Sequence, residues 1–246
     1  MDEQRFHEQA HSFGRAVDEY ERARPSYPRE AVDWLVPPRT RVVLDLGAGT
    51  GKFTRSLVAR GLETIAVEPD DMMRAALADA LPSVHTLKGT AESLPLPDAS
   101  VDLVTAAQSW HWVDESLALP EAARVLKPRG SLALVWNIRD ERVPWVKRLG
   151  DIMGGSAAET AMQQETTIGA PFGRTERFTC DWSMTTSLEG LLTLAASRSY
   201  IITADEARRA EIFDGIRELV ARDRELAERD EFELPYRTYC FRAARA

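Results

Sequence analysis

The stretch Arg41-Val42-Val43-Leu44-Asp45-Leu46-Gly47-Ala48-Gly49-Thr50-Gly51-Lys52 decides the fold. Its first half is an apolar run rich in β-branched residues and closed by glycine, the pattern of a buried strand. Its second half packs three glycines into five positions and runs into helical spacing. Glycine permits positive φ and lets backbone come close to a ligand. A helix that opens there turns free N–H groups and a positive dipole end toward whatever lies above the turn. The stretch is expected to be a strand–turn–helix that holds a ligand against main chain.

Two other glycine loops do not fit it. The dinucleotide fingerprint is G-x-G-x-x-G, and the position of its third glycine is Lys52. The phosphate loop is G-x-x-x-x-G-K-[ST]. Here Leu46 stands at its first glycine and Phe53 at its hydroxyl. Asp45-Leu46-Gly47-Ala48-Gly49-Thr50-Gly51 instead resembles motif I of the class I S-adenosylmethionine-dependent methyltransferases, acid on the strand included. The resemblance implies that S-adenosylmethionine binds at Asp45, Gly47, Ala48, Gly49, Thr50 and Gly51. Where motif I commonly has Cys, Ala48 stands here, a residue also seen at that position.

A second signal follows. Thr64-Ile65-Ala66-Val67-Glu68 reads as a strand ending in an acid, 17 residues beyond Gly51. An acid at the tip of the second strand of such a unit accepts hydrogen bonds from ribose hydroxyls. Pro69-Asp70-Asp71-Met72-Met73 opens the next helix, with Pro69 read at an early helical position. In the resemblance Pro69 and Met72 border the adenine, and the loop Thr90-Ala91-Glu92 meets its edge. Ala107 and Gln108, at the end of a strand over residues 101–107, complete the expected cofactor site.

Strands over residues 42–46, 64–68, 84–88, 101–107 and 131–136 alternate with helical spacing, including a helix over 117–126 stopped by Lys127-Pro128-Arg129-Gly130. Such alternation implies an α/β, doubly wound parallel sheet with right-handed crossovers. The family adds that the sheet is seven-stranded, mostly parallel and Rossmann-like, its last strand antiparallel; residues 234–241 read as that strand. Residues 154–173 read as a mobile loop or insertion, 187–196 as a helix, and Thr203-Ala204-Asp205-Glu206 as a capping box. The expected organisation is a cap segment over 1–36, a cofactor-binding core over 37–140, and 141–246 completing the same domain.

The 246 residues carry a net charge of −8, which argues against a general nucleic-acid binder. Two cysteines, Cys180 and Cys240, without CxxC spacing make neither a disulfide framework nor a zinc site. His7 and His11 lie four apart with no third ligand nearby, so no metal is expected. No apolar run reaches the roughly 18 residues that span a bilayer, and the polar start is no signal peptide. A cytoplasmic enzyme without nucleic-acid or membrane partners is the expectation.

Tyr20-Glu21-Arg22-Ala23-Arg24-Pro25-Ser26-Tyr27-Pro28 looks like the lid entrance of one small-molecule branch, which includes trans-aconitate-type and ubiquinone-biosynthesis-like methyltransferases. A packed connector reads equally well. Tyr20 and Arg24 are assigned to cofactor contact and Tyr27 to the acceptor. Gln108-Ser109-Trp110-His111-Trp112 ends the fourth strand, where the family places the reacting methyl. Trp110, His111 and Trp112 are candidate acceptor contacts. His111 is also the candidate catalytic residue, with three readings open: general base, positioning group, or structural cap. The expected reaction is methyl transfer to a small-molecule O-, N- or S-nucleophile, a carboxylate included. A cofactor-binding protein without turnover and a nicotinamide-dependent oxidoreductase are the alternatives.

Overall fold

The computed structural model describes residues 24–154 and 166–246, except 203. Tyr20, His7, His11 and most of the cap segment lie outside them. In chain order the elements are α1 (Arg29–Leu35), β1 (Val42–Leu46), α2 (Lys52–Val58), β2 (Glu63–Val67), α3 (Asp71–Ala80), β3 (His85–Leu87), β4 (Val101–Ala107), a 3-10 turn (Trp110–Trp112), α4 (Glu115–Val125), β5 (Leu126–Arg139), α5 (Pro144–Met153), β6 (Glu176–Thr186), α6 (Leu188–Ala196), α7 (Ser199–Ile202), α8 (Glu206–Arg222) and β7 (Phe232–Ala244).

The strands form one seven-stranded sheet in the order β3-β2-β1-β4-β5-β7-β6. β1 to β5 pair in parallel. β7 runs against its neighbours: Arg245 N–H bonds the Gly130 carbonyl, while Thr238, earlier in β7, meets Asn137, later in β5. The last strand is antiparallel as expected, and it is slotted between β5 and β6.

The chain divides into two compact units. The sheet unit gathers Ser26–Asn137, Ala161–Cys180 and Thr238–Ala246; the second gathers Met1–Pro25, Ile138–Thr160 and Asp181–Arg237. α1 packs within the sheet unit, whose first segment ends at Asn137. In that unit Ala31, Val32 and Leu35 of α1 meet Val43, Phe53, Leu57, Leu103 and Val135. A separate cluster sets Ala48 and Ala66 against Leu77 of α3. In the second unit α5, α6 and α8 bury Trp145, Leu149, Leu194 and Ile216 around Tyr236 and Phe232.

The helix ends explain several boundaries. Asp70 accepts Met72 N–H and Met73 N–H as the cap of α3, so Pro69 lies ahead of the helix rather than inside it. Asp114 caps α4, Ser187 caps α6 and Asp205 caps α8. The cap of α8 was expected at 203. An Asp accepts at a helix start as well as Thr does, and Asp205 stands next to the first helical residue. Lys127–Gly130 does not break the chain out of the sheet. Val101 pairs with Leu126 and Leu103 with Ser131, so these residues form a bulge in β5, with Arg129 at φ +68°. Both cysteines are buried free thiols. Among the described residues no helix is long and apolar enough to cross a membrane.

Candidate functional site

β1, β2 and β4 end level, because Leu46 pairs with both Val67 and Ala106. The glycine loop therefore leaves the sheet between Glu68 and Ala107. Gly47 N–H and Ala48 N–H both reach the Val67 carbonyl, at 2.9 and 3.2 Å. Gly47, Gly49 and Gly51 all have positive φ, the region that penalises a side chain. Gly47 has a second reason: a Cβ there would stand 2.7 Å from Ser109 Cβ. Ser109 in turn donates its hydroxyl to the Leu46 carbonyl at 2.9 Å. A Cβ on Gly49 meets no atom closer than Met73 Sδ at 4.0 Å, so the face above Gly49 is open.

Glu68 is 6% exposed and holds this loop from the tip of β2. One carboxylate oxygen accepts Gly49 N–H at 2.8 Å and the other accepts Asp70 N–H at 3.0 Å. A carboxylate offers about four acceptor positions, so two amides leave capacity for ligand hydroxyls. The expected ribose acid and the expected glycine loop are thus joined directly.

Asp45 lies below the loop, on β1. It is fully enclosed and accepts Thr54 Oγ1 at 2.6 Å and Thr105 Oγ1 at 3.1 Å. Burial raises its pKa to about 7 against the two hydroxyls, with the Glu68 charge adding to the rise. Its carboxyl ties β1 to α2 and β4.

Around the loop, Pro69, Met72 and Thr90 are exposed, while Ala48, Thr50 and Ala91 are buried. Glu92 turns its carboxylate to Asp114 N–H at 3.0 Å. Gln108 has φ +58°, and its side-chain amide donates to the Asn137 carbonyl at 2.9 Å. Tyr27 packs edge-on against Phe53, its ring centre 4.8 Å away. Arg24 belongs to the second unit, where its guanidinium donates to the Ser197 carbonyl at 2.6 Å.

The three aromatic candidates on the 3-10 turn separate. Trp110 is buried, with its indole N–H on Glu115 at 2.9 Å; it is packing. Trp112 is 69% exposed, an uncovered indole face. His111 lies between, and the indole N–H of Trp136 donates to its Nδ1 at 3.3 Å. An indole nitrogen can only donate, so Nδ1 carries a lone pair and the neutral ring has its proton on Nε2. Burial also lowers the pKa of His111, which favours that neutral form. In this tautomer His111 presents its Nε2–H as a hydrogen-bond donor. Sequence reasoning missed Trp136 and Ser109. Neither has a spacing signal, since the partner of each, His111 for Trp136 and Leu46 for Ser109, lies on a separate element.

The methyltransferase domain family matches residues 44–134, the span from β1 into β5. The sequence is 49% identical over 235 residues to an uncharacterized methyltransferase of Mycobacterium tuberculosis (strain H37Rv), covering 96% of both chains. It is 35% identical over 240 residues to a methyltransferase-like protein of Schizosaccharomyces pombe, covering 94% of both. The solved structure of the YcgJ protein of Bacillus subtilis shares the fold, with a TM-score of 0.54 at 18% identity over 87% of this chain and 95% of that one.

Proposed function

Because this chain belongs to the methyltransferase family, with the class I sheet, we propose that it transfers the methyl group of S-adenosylmethionine to a small-molecule acceptor. The pairing of Gly49 and Glu68 carries this reading. It sets an open stretch of main chain beside a carboxylate with acceptor positions to spare. When bound, S-adenosylmethionine supplies an electrophilic methyl on a positively charged sulfur. Glu68 would accept from the ribose hydroxyls. Met72 and Ala91 would border the adenine, and Gly47 to Gly51 would take the methionine end. The uncovered indole of Trp112 offers a face that attracts a cation.

In a displacement at a methyl carbon, the acceptor lone pair forms the new bond as the sulfur takes back its own pair. The chain's main task is alignment. His111 donates through Nε2 and so orients an acceptor oxygen or nitrogen without taking a proton from it. Nucleophiles that arrive ionised, carboxylates among them, fit this arrangement better than alcohols.

An acceptor screen tests the reading: S-adenosylhomocysteine release is measured across small carboxylates, phenols, amines and thiols. Release with at least one acceptor is expected, with pre-ionised nucleophiles ahead of alcohols. Tight S-adenosylmethionine binding with no release across the panel would instead make this a binding protein.

A further inference from the structure

The chain from the adenine-edge loop to β4 is fastened along α4, by residues that the methyl-transfer reading does not use. At the start of α4, Asp114 N–H donates to the Glu92 carboxylate at 3.0 Å. At its end, Ala99 N–H and Ser100 N–H reach the carbonyls of Arg124 and Val125 at 2.9 and 2.8 Å. Between these ties, two side chains of α4 grip residues 94–98. Glu121 accepts Leu94 N–H at 3.0 Å. Arg124 donates to the Leu94 carbonyl at 3.0 Å, the Leu96 carbonyl at 2.8 Å and the Asp98 carboxylate at 2.8 Å. Arg124 also donates to both oxygens of Glu121, at 2.8 and 2.9 Å.

A guanidinium has five N–H donors, and here each has an acceptor. Nε meets Glu121, Nη2 meets Glu121 and Leu94, and Nη1 meets Leu96 and Asp98. The bond to Glu121, then that to Asp98, raises the pKa of Arg124, and the guanidinium holds the Glu121 carboxyl below the usual carboxylate range. An exposed ion pair alone contributes little. This pair also takes two main-chain carbonyls and a main-chain N–H, so it fixes backbone. A lysine offers three donors from one point and cannot span the same acceptors.

The grip reaches the adenine edge through one close approach. A Cβ on Gly89 would stand 2.7 Å from Pro95 Cδ. Pro95, held on either side at Leu94 and Leu96, thus lies against the residue just ahead of Thr90. Thr90 and Ser93 bridge each other, and Ala91 between them is buried. A shift of Leu94 to Leu96 therefore carries Thr90-Ala91-Glu92 with it. Hydrogen bonds to a purine edge discriminate only when the groups that make them are held in place, so that the wrong edge leaves them unpaired.

We propose that Arg124, held by Glu121, is a positioning residue that makes the cofactor site select adenine over other purines. This rests on the reading that S-adenosylmethionine binds with its adenine at Thr90-Ala91-Glu92.

Calorimetry on the full chain with S-adenosylhomocysteine and S-inosylhomocysteine tests it. The second probe is the deaminated analogue, with a carbonyl in place of the purine amino group and a proton on the adjoining ring nitrogen. The native protein should bind the adenine form more tightly. Arg124→Lys keeps the charge and should cut that preference by about fivefold or more, the worth of one hydrogen bond. Glu121→Gln keeps the side-chain shape and should cut it in the same direction; should Arg124→Lys fail to fold, Glu121→Gln decides alone. Ile216→Val, in the core of the second unit, lowers stability away from the loop and should leave the preference unchanged. Thermal unfolding of each variant, beside the affinities, separates lost stability from lost selectivity. A preference retained in Arg124→Lys, with both probes weakened equally or not at all, would overturn the proposal, as would a native protein that binds both probes alike; each of these leaves the cofactor reading standing. No binding of S-adenosylhomocysteine by the native protein would remove the cofactor reading itself, and this proposal with it.

Discussion

Replacing Glu68 by Gln keeps the shape of the side chain and removes its charge. In the native protein both oxygens of Glu68 accept a main-chain N–H, from Gly49 at 2.8 Å and Asp70 at 3.0 Å. A glutamine amide has one oxygen, so one of these N–H groups must face an NH2 group. The lost bond is charge-assisted and costs about 1.5–3 kcal/mol. For a chain of this size each kcal/mol moves the thermal midpoint by about 2–4 °C. A fall of roughly 4–8 °C follows for a loss near 2 kcal/mol. Part of it is offset, because the Glu68 charge also disfavours ionised Asp45. Cofactor binding should suffer separately. The amide's one oxygen has two acceptor positions, so serving the loop leaves it at most one for the ribose hydroxyls, uncharged, and the same range of energies weakens affinity by about 10- to 100-fold. Calorimetric titration with S-adenosylmethionine and with S-adenosylhomocysteine, beside thermal unfolding, reads the two effects independently. A variant with a lowered midpoint and native affinity for both ligands would refute the assignment of the ribose to Glu68, leaving that residue a support for the loop alone.

Three further outcomes follow from the same geometry. His111→Gln should slow methyl transfer without changing the shape of its pH–rate profile; a limb near pH 6–7, present in the native enzyme and absent from the variant, would favour the general base. Asp45 has a folded pKa of about 7 against an ordinary 3.8, so the folded protein keeps this proton to higher pH than the unfolded chain and loses stability as pH rises through that window. Relative to Asp45→Asn, native stability should fall by about 1.4 kcal/mol per pH unit between roughly pH 4 and 7, and parallel denaturant-unfolding curves for the two proteins would count against it. Gly47→Ala combines a left-handed backbone with a Cβ set against Ser109 and should cost about 2–4 kcal/mol in urea unfolding; Ser109→Gly in the same chain should recover the part due to the clash.

The part of the fold around the glycine loop was legible because its signals are local. β1, β2 and β4 are short apolar runs closed by glycine, acid or turn residues, and four of the five residues of β1 are buried. β6 left no such mark. Along Glu176–Thr186 only Cys180 is buried, so the strand reads as polar chain, as an outermost strand often does. Lys127–Gly130 follows the end of α4 as expected, while the bulge it also forms in β5 was not legible, because Pro and Gly carry the same local preference in either setting. Within the site, Glu68 and the glycines follow from spacing. The part played by Asp45 does not. Its partners Thr54 and Thr105 come from a helix and a distant strand, and only packing shows that the acid faces inward. The tautomer of His111 likewise depends on Trp136, 25 residues along the chain.

The place of β7 has a consequence for how the protein is made. β7 lies between β5 and β6, and β6 joins the sheet only through it. While a ribosome is still building the chain, β6 is already complete yet has no strand to join, and the open edge of β5 is a template for other chains. The sheet can close only once the residues up to Ala244 have emerged. A stalled or clipped product that lacks them would expose two unpaired edges at once, so its hazard is sticking to its neighbours rather than weak catalysis.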